Sequence, residues 1–156
     1  MPPVPAGYGQ PGLGLGAPAG LYVDPNSGLM IPQGTELASC GRRIGAYFLG
    51  ILLAIVTLGI GYAIWGLIAW GSGQSPALQV LGMRCWRPEE ARVANWGWMA
   101  LREVVGRIVE GILFGIPALV SFILFLTRPD RRTLHDMIGG TVVLHDPNGV
   151  LKNAPR

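Results

Sequence analysis

Only a few side chains in this sequence have the chemistry of a catalytic or metal site. His135 and Asp136 are adjacent, and an imidazole beside a carboxylate can supply two ligands to a metal ion. His145 and Asp146 form a second adjacent pair, but neither pair has further ligands nearby at the spacing of a metal site. The sequence therefore predicts no catalytic residue, no metal site, no cofactor and no enzymatic activity.

Glu110 is a different kind of candidate, because it lies just inside an apolar segment at residues 108–127. An ionisable residue within a membrane segment is a functional candidate by default. The alternative is a structural ion pair, since Arg107 lies about one helical turn away and Glu103 lies a further turn back on the same face. Both interpretations stay open at the level of the sequence.

Two long apolar segments must position these side chains. Residues 44–70 contain no charged residue, and residues 108–127 contain only Glu110. A bilayer core about 30 Å thick is crossed by about 20 apolar residues in a helix, so both segments are predicted to lie in a membrane. The first is either one tilted helix or a helical hairpin that breaks at residues 57–61. Pro117 is predicted to kink the second.

Shorter elements complete the predicted fold. Asn95 is suited to cap a helix whose apolar residues keep helical spacing, and this amphipathic helix is expected to lie along the membrane interface. Residues 81–86 and 141–144 are expected to form a small two-stranded β element. The predicted fold class is therefore an all-α membrane protein with this minor β element.

Composition divides the chain into three parts. Residues 1–36 are rich in proline and glycine and are predicted to be a disordered N-terminal tail. Residues 37–146 form the predicted membrane domain, and residues 147–156 a short flexible C-terminal tail. The net charge of +3 comes from arginines beside the apolar segments, which suits the lipid bilayer as a partner and does not indicate nucleic-acid binding.

Small residues recur along both apolar segments at helical spacing. Ala46, Gly50 and Ala54 form one stripe, and Gly111 and Gly115 form a GxxxG pattern. In lipid, small residues let helix backbones approach closely. The stripes are therefore predicted to pack against each other, against a second copy of the chain or against a membrane-protein partner.

The chain also resembles a known family at five short motifs. These are Arg43-x-x-Ala46-Tyr47, Gly73-Gln74-Ser75-Pro76, Leu81-Gly82-Met83-Arg84, Thr133-Leu134-His135-Asp136 and Gly140-Thr141-Val142-Val143. Together they resemble the RDD family, small membrane proteins of bacteria and archaea named for one arginine and two aspartates. The resemblance covers residues 37–146 and implies a multi-pass protein of the cell membrane. It also implies a family whose molecular function is described as unknown, with transport suggested.

The resemblance assigns the family arginine to Arg43, or to Arg42 in the neighbouring register, and the second aspartate to Asp136. The first aspartate, expected within the first helix, falls at Gly50. A carboxylate within the membrane is what a proton or cation relay would use, and this chain lacks it there. A local role for Asp136 is to hold Arg43 or Arg132 at the membrane surface.

Two functions are consistent with these observations. The first is a non-enzymatic RDD-type membrane protein that acts by helix packing with itself or with a membrane partner. The alternative is a transporter or ion-coupled carrier, or a subunit of one, in which Glu110, Asp136 and the arginines form the charged path.

Overall fold

Short strands alternate with groups of helices along the chain. The computed structural model describes residues 20–111 and 115–156. The strands are β1 (Leu21–Val23), β2 (Met30–Pro32), β3 (Glu36–Leu37), β4 (Met83–Arg87), β5 (Arg92–Val93) and β6 (Val142–His145). The helices are α1 (Cys40–Val56), α2 (Ile60–Ala69), α3 (Pro76–Val80), α4 (Trp96–Ala100), α5 (Gly106–Gly111), α6 (Ile116–Thr127) and α7 (Leu134–Ile138). A π-helical stretch (Leu101–Val105) joins α4 to α5, and short 3₁₀ turns lie at Trp70–Ser72 and Val150–Lys152.

The strands form two antiparallel sheets. β1 and β2 pair as a hairpin, and the second sheet has the strand order β3-β6-β4-β5. In the central pair Trp86 aligns with Val142, and both pack with Ile31 of the hairpin in a buried cluster. Residues 147–156, predicted as a flexible tail, also reach this cluster, where Leu151 is fully buried. The second sheet therefore gathers chain segments that precede, separate and follow the two groups of helices.

The predicted all-α fold is wrong, because the chain is a mixed α/β protein with two sheets. The expected two-stranded element is present as the β4–β6 pair, but it lies inside a four-stranded sheet. The outer strands of that sheet are two residues long, and β3 pairs with a strand more than a hundred residues later in the sequence. Strands of this length are too short to show the alternating hydrophobic pattern by which a sequence reveals a strand.

The predicted disordered tail is wrong for residues 20–36, which carry the β1–β2 hairpin, and residues 1–19 lie outside the described part of the chain. The turn of the hairpin is closed by Ser27, whose N–H and hydroxyl donate to the carboxylate of Asp24 at 2.8 and 2.6 Å. Gly28 follows with a φ of 70°, a conformation that glycine adopts without strain. The turn-forming residues that suggested disorder here shape a hairpin.

The first apolar segment is divided into α1 and α2. α1 starts after its N-cap Ser39, whose hydroxyl accepts the N–H of Arg42 at 3.2 Å. It stops before Leu58 and Gly59, which have positive φ angles of 54° and 74°. Of the two arrangements that the sequence leaves open, the structure therefore has the broken one. The 17 residues of α1 extend about 25 Å at 1.5 Å per residue.

The predicted proline-kinked helix over residues 108–127 is also wrong, because α5 and α6 are separate helices. Gly115, with a φ of 82°, precedes α6, and residues 112–114 are not among those described. Pro117 lies in the first turn of α6, where its missing N–H breaks no helical hydrogen bond. No helix within residues 20–111 and 115–156 combines the length and the apolar character that a bilayer crossing requires.

The helix predicted after Asn95 is present as α4, the π-helical stretch and α5, which follow one another without interruption. Asn95 caps it, because its side-chain oxygen accepts the N–H of Trp98 at 3.1 Å. Within the π-helical stretch the adjacent residues Arg102 and Glu103 are both buried. Two buried charges side by side require partners from other elements.

Candidate functional site

The buried carboxylate of Asp136 lies where α1, the π-helical stretch and α7 meet. Arg102 Nε donates to Asp136 Oδ1 at 2.8 Å, and Arg43 donates to Oδ2. Thr133, the N-cap of α7, completes a capping box, since its hydroxyl and N–H donate to Oδ2 at 2.7 and 3.1 Å. The carboxylate therefore receives charged donors from two distant elements and neutral donors from the start of its own helix.

Arg43 connects α1 to the loop before α7 and to α6. Its Nη1 donates to the carbonyl oxygen of Arg131 at 2.8 Å, and its guanidinium carbon lies 5.3 Å from the ring centroid of Phe125. The neighbouring Arg42 instead forms an exposed ion pair with Glu36 at 3.0 Å. Of the two arginines at the start of α1, Arg43 is the one that reaches the buried carboxylate.

The charged contacts continue along the π-helical stretch into α5. Arg102 contacts its neighbour Glu103, whose Oε2 accepts Arg107 Nε at 2.9 Å. Arg102 and Glu103 are almost fully buried, whereas 61% of the Arg107 side chain is exposed. The five residues of this network, here called the Asp136 cluster, are Arg43, Arg102, Glu103, Arg107 and Asp136. With three arginines and two carboxylates, the cluster has a net charge of +1.

Both carboxylates of the cluster are ionised at neutral pH. Burial alone raises the pKa of a carboxyl group, but Arg43 and Arg102 outweigh it and hold the pKa of Asp136 well below its usual range. Burial is likewise outweighed at Glu103, whose pKa is lowered by Arg102 and Arg107. A carboxylate with a lowered pKa and two guanidinium partners is a poor general base. The cluster is therefore suited to joining helices and to presenting positive charge.

A cavity of about 640 Å³ lies beside the cluster, between α1, α3, the π-helical stretch and α6. Its polar wall contains His135 and four members of the Asp136 cluster, all but the buried Asp136 itself. Its other walls are small or apolar and include Ala46, Gly50, Ala54, Ala77, Phe122 and Phe125. A Cβ atom at Gly50 would lie 3.2 Å from the hydroxyl of Tyr62, so this glycine faces another lining residue. The cavity thus has one charged wall and several apolar ones.

Residues 27–140 match the model of the RDD family, and this match covers well over half of the chain. The chain belongs to the RDD family. It is similar to the uncharacterized protein YckC of Bacillus subtilis, at 45% identity over 51 residues that make up 33% of this chain and 34% of that protein. The chain thus spans about a third of that relative. An uncharacterized protein of Haemophilus influenzae is 28% identical over 130 residues, with 74% of this chain and 82% of that protein covered. No solved structure matches the chain significantly.

RDD proteins are generally membrane associated, and the residues that carry the RDD resemblance meet at the cavity. Arg43 and Asp136 bind each other, whereas Arg42 points to the exposed Glu36. Gly50, at the position that the resemblance gives to the first aspartate, lies on the cavity wall. The RDD motif residues therefore converge on one place even where the aspartate is absent.

Arg102 is the residue of the RDD site that sequence analysis misses. It binds Asp136 through both Nε and Nη2, at 2.8 and 2.7 Å, yet it lies 34 residues away in the sequence. The one signal in the sequence is the adjacent opposite charge of Glu103 in a stretch of apolar residues. Adjacent residues of an α-helix point about 100° apart, so a regular helix would not predict that both are buried.

The other predicted residues lie around the cluster. His135 lines the cavity, with Nε2 3.9 Å from Asp136 Oδ1, and within the described ranges no three His, Cys, Asp or Glu residues are grouped to hold a metal. Glu110 belongs to α5, and its side chain is not described. Gly111 ends α5 and Gly115 precedes α6, so the GxxxG pattern does not lie on one helix. Packing of the small residues against a second copy stays a prediction.

Asp136→Asn is expected to destabilise the protein strongly, because it leaves two buried arginines without their shared counter-charge. Breaking a buried ion pair in this way costs about 3–5 kcal/mol of unfolding free energy. Glu36→Gln is the matched control, since its partner Arg42 is exposed and such a pair is worth about 0–1 kcal/mol. Thermal unfolding followed by circular dichroism in a non-ionic detergent measures both. Equal losses in the two variants would contradict the importance assigned to the cluster.

The stability gap between the wild type and Asp136→Asn is expected to depend on pH in a defined direction. The pKa of Asp136 in the folded protein lies below its ordinary value of 3.8, because Arg43 and Arg102 overcome the effect of burial. The ionised carboxylate therefore stabilises the fold fully above that ordinary value, and this stabilisation is lost as pH falls through the folded pKa. Melting temperatures should show a constant gap from about pH 5 to 8 and a narrowing gap below about pH 4.

Gly106→Ala is expected to separate α5 from α7. A Cβ atom at this position would lie 2.4 Å from Cβ and 3.0 Å from Cα of His135, so the helices must move apart. We expect the free energy of unfolding to fall by about 1–3 kcal/mol, as in other overpacked interiors. Gly111→Ala is the control, because nothing lies within 4 Å of the added atom. A control that is as unstable as Gly106→Ala in the same melting experiment would refute this close approach.

Proposed function

We propose that this RDD protein is embedded in the cell membrane, has no catalytic activity, and acts by packing against a second copy or a membrane-protein partner. The observation that supports the proposal is the apolar surface left exposed on α1, α2 and α6. Side chains with at least half of their area exposed include Tyr47, Phe48, Leu52, Ile55, Val56, Leu58, Ile60, Ile64, Ile68, Leu119, Phe122, Ile123 and Leu126. Proteins that work in water rarely expose so much apolar area, and such surfaces mark contact with lipid or with a partner.

The distribution of charge supports lipid as the contact of this apolar surface. α2 and α6 contain no charged residue, and the two arginines of α1 lie in its first turn. Arg42 is exposed there, and a long basic side chain can reach lipid headgroups while its stem stays apolar. The helices are therefore suited to hydrocarbon and the start of α1 to the membrane boundary.

The second sheet supports an arrangement in which both groups of helices leave and return on one side. β3 precedes α1, β4 and β5 lie between the two groups, and β6 follows α7, yet all four strands share one sheet. A chain that enters lipid from this sheet must therefore come back to it. In the first group the turn after α1 carries Leu58, which is 86% exposed. Whether this turn crosses the bilayer, as a multi-pass topology requires, stays a prediction.

A second candidate function, a carrier or carrier subunit, is favoured by the cavity beside the Asp136 cluster. Asp136 itself is buried and held by two arginines, so the titratable groups on the cavity wall are Glu103, Arg107 and His135. A chain of this size would have to oligomerise to enclose a pathway. Proton or sodium flux into proteoliposomes, above that of protein-free vesicles and reduced by Arg107→Gln, would favour the carrier over the packing function.

Leu58→Arg tests membrane embedding. An arginine at a position that lies in hydrocarbon costs about 2.5–3.5 kcal/mol, so a larger share of this variant should be released from membranes by alkaline carbonate. Val150→Arg is the matched control, because Val150 is 40% exposed on the C-terminal 3₁₀ turn and outside the apolar helices. The control is expected to stay with the membrane fraction as the wild type does. Equal release of the wild type and both variants would contradict embedding at this turn.

Cysteine labelling then maps the topology. The native Cys85 is fully buried, and burial raises the pKa of its thiol to about 11, so it is a poor target at neutral pH. Single cysteines at Leu58 and Val150 in a Cys40→Ser background serve better. Labelling of Leu58→Cys only after the membrane is dissolved fits a turn that stays in lipid. Its labelling from the side opposite to Val150→Cys shows a full crossing.

A further inference from the structure

We propose that the cavity beside the Asp136 cluster binds an anionic phospholipid, with the phosphate at Arg107 and the acyl chain against the walls formed by α1 and α6. The inference rests on the proposed membrane embedding, because the lipid would enter from the bilayer. It gives that function a ligand of defined chemistry.

The cavity is continuous with the exposed apolar surface. Tyr47, Phe48 and Phe122 line the cavity, and each of these side chains also has at least half of its area exposed. An acyl chain on that surface could therefore enter the cavity without passing a polar barrier. The volume of about 640 Å³ lies within the range of about 300–1,000 Å³ that is usual for small-molecule sites.

Small residues on α1 and α3 create the space. Gly50, Ala54 and Ala77 lie on the cavity wall, and a Cβ at Gly50 would lie 3.7 Å from Cβ of Ala77. Larger side chains at these positions would fill the volume. The small residues of α1 therefore have a role within a single chain, as the wall of a site.

Arg107 is the group best placed to bind the phosphate. Glu103 Oε2 accepts its Nε and contacts its Nη2, both at 2.9 Å, which occupies one edge of the guanidinium. Arginine carries further N–H donors in a planar fork that matches a phosphate. The side chain is 61% exposed and lines the cavity, so these donors are accessible to a headgroup.

The charge of the cavity wall selects an anion over a cation. Asp136 is shared by Arg43 and Arg102, and Glu103 is shared by Arg102 and Arg107. A cation would have to displace a guanidinium from one of these pairs, whereas an anion is attracted by the net charge of +1. The apolar walls in turn favour an anion that carries a hydrocarbon chain over free phosphate.

Native mass spectrometry of the full chain in dodecyl maltoside micelles tests the proposal. Phosphatidylglycerol and phosphatidylcholine are added separately, and the retained lipid is counted. The wild type is expected to retain one phosphatidylglycerol and to bind it about tenfold more tightly than phosphatidylcholine, as a charge-assisted phosphate contact provides. Arg107→Gln should lose this preference. Arg128→Gln, which removes the same charge at an ion pair outside the cavity, should keep it.

A second pair of variants tests the location of the lipid. Ala54→Phe fills the cavity and should abolish retention, whereas Ile55→Phe, on the exposed side of α1, should leave it unchanged. Circular dichroism confirms that each variant is folded, and the exposed Arg107 provides the test should Ala54→Phe fail to fold.

Three results would overturn the proposal. The first is equal binding of the two lipids by the wild type, and the second is identical behaviour of Arg107→Gln and Arg128→Gln. The third is displacement of phosphatidylglycerol by millimolar inorganic phosphate, which would point to a soluble phosphate ligand. Binding in micelles does not depend on where the chain lies in the cell. A negative result therefore leaves the membrane embedding tested by Leu58→Arg unaffected.

Discussion

The charge of Asp136 can be buried only because two guanidinium groups reach it from separate parts of the fold. Arg43 lies 93 residues away in the sequence and Arg102 lies 34 residues away. An ion removed from water without such partners costs several kcal/mol, so α1, the π-helical stretch and α7 are stable only when docked together. Four of the five cluster residues also line the cavity, and the requirement that holds the helices together therefore also sets the polarity of the site.

The site is only partly predictable from the sequence. Arg43 and Asp136 stand in short motifs, so a pairing between them could be anticipated, although Arg42 and Arg132 were equal competitors. Arg102 could not, because its inward orientation depends on a π-helical stretch that no periodicity indicates. The cavity could not be anticipated either, since it depends on how α1, α3 and α6 pack and not on any one of them.

The fold shows the same division between local and long-range information. The capping roles of Asn95 and the strand pairing of β4 with β6 follow from residue types and were predicted correctly. The breaks at Leu58 and Gly115 were harder to predict, because hydrophobic composition is continuous across both while the backbone reverses into positive φ. Glycine and proline near the N terminus indicated disorder, but turn chemistry at Asp24 builds a hairpin that needs β6, α7 and the C-terminal turn to complete its core.

The π-helical stretch at residues 101–105 makes the length of the chain there more important than its composition. A π turn accommodates one residue more than the regular helix on either side. Loss of a single residue would restore the regular helix and rotate all that follows by about 100°. Gly106 would then turn away from His135, and Arg107 would leave Glu103. Val104 and Val105 are partly exposed, so their side chains tolerate replacement, whereas an insertion or deletion between Arg102 and Gly106 shifts the reading of every later contact.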